Sequence, residues 1–153
     1  MPRVDNSRDQ RLAMSAWVKL ARAASAVGAC LARRLADHDL SESQFGVLDA
    51  LHHLGPLHQC DLARKILRTN GNVTLVVDNL ERRGLVQRQR GGADRRFVLV
   101  SLTAAGEELI RKVFPLHADA VATEMAALSG EEHRQLSRLC RRLVAGRVPV
   151  EGH

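Results

Sequence analysis

The chain has 153 residues, 45% of them hydrophobic and 3% aromatic, and its 23 Lys and Arg against 17 Asp and Glu give a formal net charge of +6. This length suits one core-bearing domain, and the basic excess favours a polyanionic partner such as nucleic acid or an acidic membrane surface. No stretch reaches the ~18 to 20 consecutive apolar residues of a membrane-spanning helix, and the start of the chain lacks the apolar core of a signal peptide. We therefore expect one compact protomer in the cytoplasm, with no membrane contact.

The first predicted element is an amphipathic helix over residues 7–37, about eight turns long at 3.6 residues per turn. Apolar side chains recur along it at steps of three or four, the spacing of one helical face: Leu12, Ala16, Leu20, Ala23, Val27, Leu31 and Leu35. A helix of this length exceeds what the core of a small domain can cover. Part of its apolar face is therefore expected to pack against another chain.

Three shorter helices are predicted next, over residues 41–54, 59–67 and 73–83. Ser41 opens the first of them, because Gln44 three residues later completes the capping-box pattern. Thr69 is expected to cap the third helix, and Leu75 is expected to pack that helix on the core. Two helices joined by a short turn form the helix-turn-helix motif.

Two β-like runs over residues 85–90 and 97–102 are separated by turn-forming residues. Residues 82–96 carry six arginines against the single Asp94, a local charge of +5 in a chain of +6. The basicity is therefore one focused patch on a hairpin that follows a helix-turn-helix. This combination is typical of a winged DNA-binding protein.

Two further helices complete the pattern. Thr103 is expected to cap a helix over residues 104–128 that Pro115 interrupts and kinks. Ser129 with Glu132 forms a second capping box, before a last helix that ends near residue 145. The predicted fold class is mainly α (α+β), with a winged helix-turn-helix over residues 41–102 between long flanking helices.

Five motifs in this order resemble the MarR family of bacterial transcriptional regulators: DLARK at 61–65, NVT at 72–74, DNLERRGLV at 78–86, DRR at 94–96 and LTAAG at 102–106. The resemblance extends from Leu12 to Val144. It implies a homodimer whose dimerisation region is formed by segments 1–40 and 103–153 of both chains, and two winged lobes that bind double-stranded DNA at a palindromic operator. It further implies a repressor that a small aromatic or phenolic ligand releases from DNA.

The resemblance places the helix over residues 73–83 in the major groove. Base edges or phosphates are then contacted by Thr69, Asn70, Asn72 and Thr74, and Arg82 is expected to contact a phosphate. The alternative interpretation of residues 70–72 is that they only form a turn.

The wing supplies the second set of expected contacts. Arg96 is expected to enter the minor groove, and Asp94 to orient an arginine or fix the turn. Arg95 is either a second contact or a solvated charge. Arg88 and Arg90 share one face of their strand by its period of two, which suits phosphate contacts.

The family also implies a ligand site between the dimer helices and the DNA-binding lobe. The candidates on the corresponding helices are Trp17, Arg22, His52, His53, Phe114 and His117. Packing in the core or dimer interface is the alternative interpretation of Trp17 and Phe114. Exposure or internal hydrogen bonding is the alternative for His52 and His53.

The three cysteines are too few and too widely spaced for a disulfide framework or a CxxC zinc site: Cys30, Cys60 and Cys140. Some members of the family sense oxidants through a cysteine in the first helix, which makes Cys30 a candidate for redox sensing. The alternative is a buried, unreactive thiol. No metal-ligand spacing is matched by the set His52, His53, His58 and Cys60, so we expect no metal and no cofactor.

An enzyme is not expected, because the chain lacks the GxSxG, P-loop, HExxH and Rossmann glycine motifs. A non-specific architectural DNA-binding protein is the rival interpretation, since a basic wing alone gives non-specific binding. A preference of ~10³ or more for a palindrome over random duplex distinguishes the regulator.

Overall fold

A computed structural model describes residues 6–66, 72–91 and 97–147 of the chain. Its elements follow the predicted order, with one strand more than predicted. They are α1 (Asn6–Ala36), α2 (Glu42–Leu54), β1 (Leu57–His58), α3 (Gln59–Lys65), α4 (Val73–Arg82), β2 (Val86–Arg90), β3 (Val98–Leu102), α5 (Ala104–Glu124) and α6 (Gly130–Ala145). The predicted fold class, mainly helical with a small antiparallel sheet, is confirmed.

The strands form a three-stranded antiparallel sheet in the order β1-β3-β2. β2 and β3 are the predicted hairpin, in register from Val86 opposite Leu102 to Arg90 opposite Val98. The unpredicted β1 lies on the other edge of β3, where Leu57 is opposite Val100. It is two residues long and its partner is distant in sequence, so no local pattern indicates it.

Polar caps open α2 and α6 as the sequence predicts. The Ser41 hydroxyl accepts a hydrogen bond from the Gln44 amide at 3.1 Å, and the Gln44 side chain accepts one from the Ser41 amide at 2.9 Å. Ser129 and Glu132 form the same reciprocal pair before α6. These bonds satisfy amides that have no partner inside the helix, and one such cap contributes about 1 kcal/mol.

The start of α5 lies directly on the backbone at the base of the hairpin. Thr103 caps α5 through the Gly106 amide at 3.1 Å and donates its hydroxyl proton to the Gly84 carbonyl at 2.6 Å. A Cβ at Gly106 would lie 2.0 Å from the Leu85 carbonyl oxygen, so a side chain cannot fit there. α5 then continues through Pro115 to Glu124, without the predicted interruption and shorter than predicted.

The core lies where the end of α1, α2, α3, α4, the sheet and the first half of α5 meet. Its largest fully buried side chains are Leu35, Leu48, Leu62, Leu80, Ile110, Val47, Val77, Val86, Val100 and Val113. Full burial of such a side chain is worth about 1.5–3 kcal/mol. The core therefore fixes α4 and the hairpin relative to α5.

Two helices leave apolar side chains uncovered. None of the residues of α6 is buried, and its exposed apolar residues are Leu139, Leu143 and Val144. The amino-terminal half of α1 exposes another set, Leu12, Met14, Trp17 and Val18. An isolated helix of this length is marginal in water, so α6 requires another surface to cover its apolar side.

Candidate nucleic-acid interface

The candidate interface is built around α4, the second helix of the helix-turn-helix. Val77 and Leu80 are fully buried and hold one side of α4 on the core. Asn72 caps the helix, since its side-chain oxygen accepts a hydrogen bond from the Thr74 amide at 3.0 Å. The prediction that Thr69 caps this helix is wrong, because α4 begins at Val73 and the residue just before it takes the cap.

Two of the four predicted polar contacts at this end of α4 already have partners in the protein. The Asn72 side chain is engaged in the cap, and the exposed Thr74 hydroxyl accepts a hydrogen bond from Gln59 Nε2 at 3.1 Å. Thr69 and Asn70 lie outside the described residues, and their DNA contacts remain predictions.

Leu75 points away from the core, contrary to the prediction. Its side chain is 64% exposed, and Val77 occupies the fully buried position instead. The other residues predicted on this face, Val73, Val76 and Leu80, do pack on the core or lie within it. Leu75 alone of this set departs from the prediction, so the first turn of α4 presents a leucine to the outside.

Arg88 is the centre of a polar cluster that joins α3, α4 and β2. Its Nε donates to Gln59 Oε1 and its Nη2 donates to the Thr74 carbonyl, both at 3.2 Å. Its Nη1 lies 2.5 Å from Asp78 Oδ1 and 3.4 Å from Glu81 Oε1. These five residues are the Arg88 cluster. The sequence predicts Arg88 as a phosphate contact, but its side chain is 13% exposed and holds α4 on its neighbours.

The other basic residues lie at the edges of this surface. Arg82 is exposed near the end of α4 and donates from Nε to the Asp78 carbonyl at 3.4 Å. Arg90 is exposed at the end of β2. The predicted residues of the wing tip, Asp94, Arg95 and Arg96, lie outside the described residues.

Three of the six predicted ligand-binding residues lie together where α2 packs on α5. His52 Nδ1 is 2.9 Å from Glu107 Oε1, and the same oxygen accepts a hydrogen bond from Arg111 Nε at 3.0 Å. The His53 ring centroid is 5.0 Å from those of His52 and Phe114. This contact connects the helix-turn-helix with the long helix α5.

His117 lies on the same side of α5, with its ring centroid 4.3 Å from that of Phe45. Its Nδ1 is buried without a hydrogen-bond partner in the described part of the chain. Burial lowers the pKa of His117, and the negative charges of Asp49 and Glu42 act in the opposite direction. The histidine is therefore kept towards its neutral form by its surroundings.

A cleft of about 250 Å³ lies between the end of α1 and α5, and His117 is one of its walls. The other residues that line it are Arg34, Leu35, Asp37, His38, Val113, Leu116 and Asp119. Trp17 and Arg22 are not in this set and are exposed on α1. Arg34 and His38 were not predicted, because their approach to α5 depends on tertiary packing and leaves no local signal.

Cys30 is partly exposed on α1 and accepts a hydrogen bond from Arg33 Nη2, with 3.1 Å between nitrogen and sulfur. Within residues 6–66, 72–91 and 97–147, no three His, Cys, Asp or Glu side chains are close enough together to hold a metal ion. No helix in those ranges has the length and apolarity needed to cross a membrane.

A helix-turn-helix that exposes the amino end of its second helix, followed by a hairpin with basic residues, defines a winged helix-turn-helix protein. Comparisons with known proteins agree with this class. The model of the MarR family matches residues 40–98. The HTH-type transcriptional regulator YkoM of Bacillus subtilis (strain 168), itself uncharacterized, is 34% identical over 131 residues, which are 86% of this chain and 85% of that protein. The regulator MhqR of the same strain is 32% identical over 129 residues, 83% and 88% of the two chains.

Two solved structures extend the comparison. Sco3205 of Streptomyces coelicolor, a MarR family regulator in complex with DNA, has a TM-score of 0.82 at 27% identity and covers 99% of this chain and 95% of its own. BpsR of Bordetella bronchiseptica, whose DNA binding is regulated by 6-hydroxynicotinic acid, has a TM-score of 0.77 at 27% identity over 85% and 98%. The chain belongs to the MarR family of transcriptional regulators, which bind DNA and are not enzymes.

Proposed function

We propose that the chain is a cytoplasmic, homodimeric repressor that binds a palindromic operator and is released by a small aromatic ligand. The observation that carries the dimer is α6, an amphipathic helix without a buried residue. The exposed apolar residues of α1 offer a complementary surface, and burial of both sets between two chains would stabilise the helices. Segments 1–40 and 103–153 then form the dimerisation region, and 41–102 the DNA-binding region.

In this proposal α4 enters the major groove, with Thr69, Asn70, Asn72 and Thr74 near the bases. Arg82 and Arg90 are exposed where they can contact phosphates. We keep Arg96 as the minor-groove contact, with Asp94 and Arg95 beside it in the wing. Arg88 acts indirectly, because its guanidinium holds α4 in place.

Selection of duplexes from a random library with the purified protein tests DNA recognition. We expect an inverted repeat to be enriched, because a two-fold dimer presents two identical winged lobes. Recovery of random sequences would favour the architectural interpretation.

Sedimentation of α6 variants tests the dimer separately. Leu143→Glu should give monomers, because it places a charge in the proposed interface, whereas the neighbouring Arg142→Glu should leave the dimer intact. An intact dimer for Leu143→Glu, or for a chain that lacks residues 129–153, would contradict this interface.

The ligand part of the proposal is supported by the cleft between α1 and α5. Leu35, Val113 and Leu116 give it apolar walls. Arg34 can pair with a carboxylate or phenolate and a neutral His117 can donate a hydrogen bond to one, beside Asp37 and Asp119 of the same lining. The relative BpsR responds to such a hydroxy acid. Salicylate or 6-hydroxynicotinate should release the operator in an anisotropy titration, and His117→Ala should raise the required concentration. Unchanged release by that variant would place the ligand elsewhere.

A redox sensor of the same family is the second candidate, and the hydrogen bond from Arg33 to Cys30 favours it. Reactive cysteines lie in accessible, electropositive surroundings, and Arg33 supplies a positive charge beside the partly exposed Cys30. In this case peroxide should release the operator from the parent chain and have no effect on Cys30→Ser. Equal behaviour of the two proteins would exclude Cys30 as the sensor.

A further inference from the structure

Leu75 occupies the part of α4 from which a DNA-reading helix contacts bases. It is the third residue of this helix, and the first turn of a recognition helix is the part that reaches base edges in the major groove. The side chain is 64% exposed, while Val76 and Val77 beside it pack on the core or lie within it. A large apolar side chain in water gains free energy when a partner covers it.

The polar side chains around Leu75 have partners in the protein. Asn72 is engaged in the cap of α4, Thr74 accepts a hydrogen bond from Gln59, and Asp78 is paired with Arg88. The outward surface of the first turn therefore offers an apolar contact in addition to any polar one.

We infer that Leu75 reads a T·A base pair in each operator half-site by covering the 5-methyl group of thymine. This methyl is the apolar group that base edges present in the major groove. The inference rests on the proposed function, since α4 must lie in that groove. DNA is favoured over a protein partner on this face because Arg82 lies seven residues after Leu75, on the same side of the helix, and belongs to the segment of local charge +5.

The test replaces thymidine by deoxyuridine, one position at a time, in the operator obtained by selection. The substitution removes one methyl group and keeps all hydrogen-bonding groups of the base. At one position in each half-site, the replacement should weaken binding by the parent protein about fourfold, which corresponds to the transfer free energy of one methyl group. Replacement in both half-sites should weaken binding about 15-fold, because two methyl groups are lost.

Leu75→Ala should be insensitive to the same replacement, and its thermal midpoint should match that of the parent because the side chain is exposed. Leu54→Ala is the matched control: this leucine is 55% exposed at the end of α2, and its variant should retain the uracil effect. A uracil effect of equal size in Leu75→Ala and the parent, or no effect in either, would overturn the inference while operator binding stands. Failure to select any operator would overturn the proposed function together with it.

Discussion

The Arg88 cluster gives the sharpest test of how the fold positions its recognition helix. Arg88→Ala removes the bonds to Gln59 and to the Thr74 carbonyl and both ion pairs. The Asp78 and Glu81 side chains are 40% and 43% exposed, so water solvates these carboxylates when the guanidinium is removed. Each ion pair therefore contributes at most about 1 kcal/mol to the free energy of unfolding. The two remaining hydrogen bonds add about 0.5–1.5 kcal/mol each. We expect a total loss of about 2 kcal/mol in the free energy of unfolding.

The substitution should weaken DNA binding even though the protein stays folded. A protein of typical stability stays folded after losing about 2 kcal/mol, but Asp78 and Glu81 then face phosphates without the compensating guanidinium. Operator affinity should decrease about tenfold or more at moderate salt. Urea unfolding and anisotropy titrations on the same samples measure the two effects.

Arg90→Ala is the matched control, because Arg90 is exposed on the same strand. It should change the free energy of unfolding by less than about 0.5 kcal/mol. It should also reduce the slope of log K against log salt by about 0.9 for each phosphate that the protein no longer neutralises. Arg88→Lys should recover part of the stability. If Arg88→Ala unfolds like the parent and binds like Arg90→Ala, the cluster does not hold α4.

Three further predictions concern single residues. Gly106→Ala should lower the free energy of unfolding by about 3 kcal/mol or more, because its Cβ would lie 2.0 Å from the Leu85 carbonyl oxygen; a loss below about 1 kcal/mol in urea unfolding would contradict this expectation. The folded-state pKa of His117 is lowered by burial from 6.5, so the unfolded state binds the proton more readily. Its contribution to stability is therefore complete above pH 6.5 and disappears as the pH falls through the folded-state pKa. His117→Gln should flatten this decline in unfolding experiments across pH, and a parental slope would refute the assignment. Arg96→Ala should weaken operator binding without unfolding the dimer, and retained affinity in an anisotropy titration would count against the wing contact.

Features encoded by a few neighbouring residues were predictable from the sequence. The capping boxes at Ser41 and Ser129 and the cap at Thr103 are as predicted, because hydroxyl and amide groups three residues apart meet in any helix start. The pairing of β2 with β3 is also as predicted, since two β-like runs separated by turn-forming residues indicate a hairpin locally.

Features that depend on tertiary packing were not predictable in the same way. β1 exists through its pairing with β3, and the side of α4 that faces the core is decided by its neighbours, which exposes Leu75. The period of two places Arg88 on the same face of its strand as Arg90, which suggests a phosphate contact for both. In the structure, two carboxylates of α4 lie within reach of Arg88. Periodicity indicates which residues share a face and does not identify what lies opposite that face.

The central claim is sequence-specific recognition of DNA by a dimer. The most direct measurement is the ratio of affinities for the selected inverted repeat and for a scrambled duplex of equal length and composition, determined at several salt concentrations, with the protein-to-DNA stoichiometry. We predict a ratio of ~10³ or more when both duplexes are compared at the same salt concentration, with two chains bound per duplex. Equal affinities for the two duplexes, or one chain per duplex, would contradict the account.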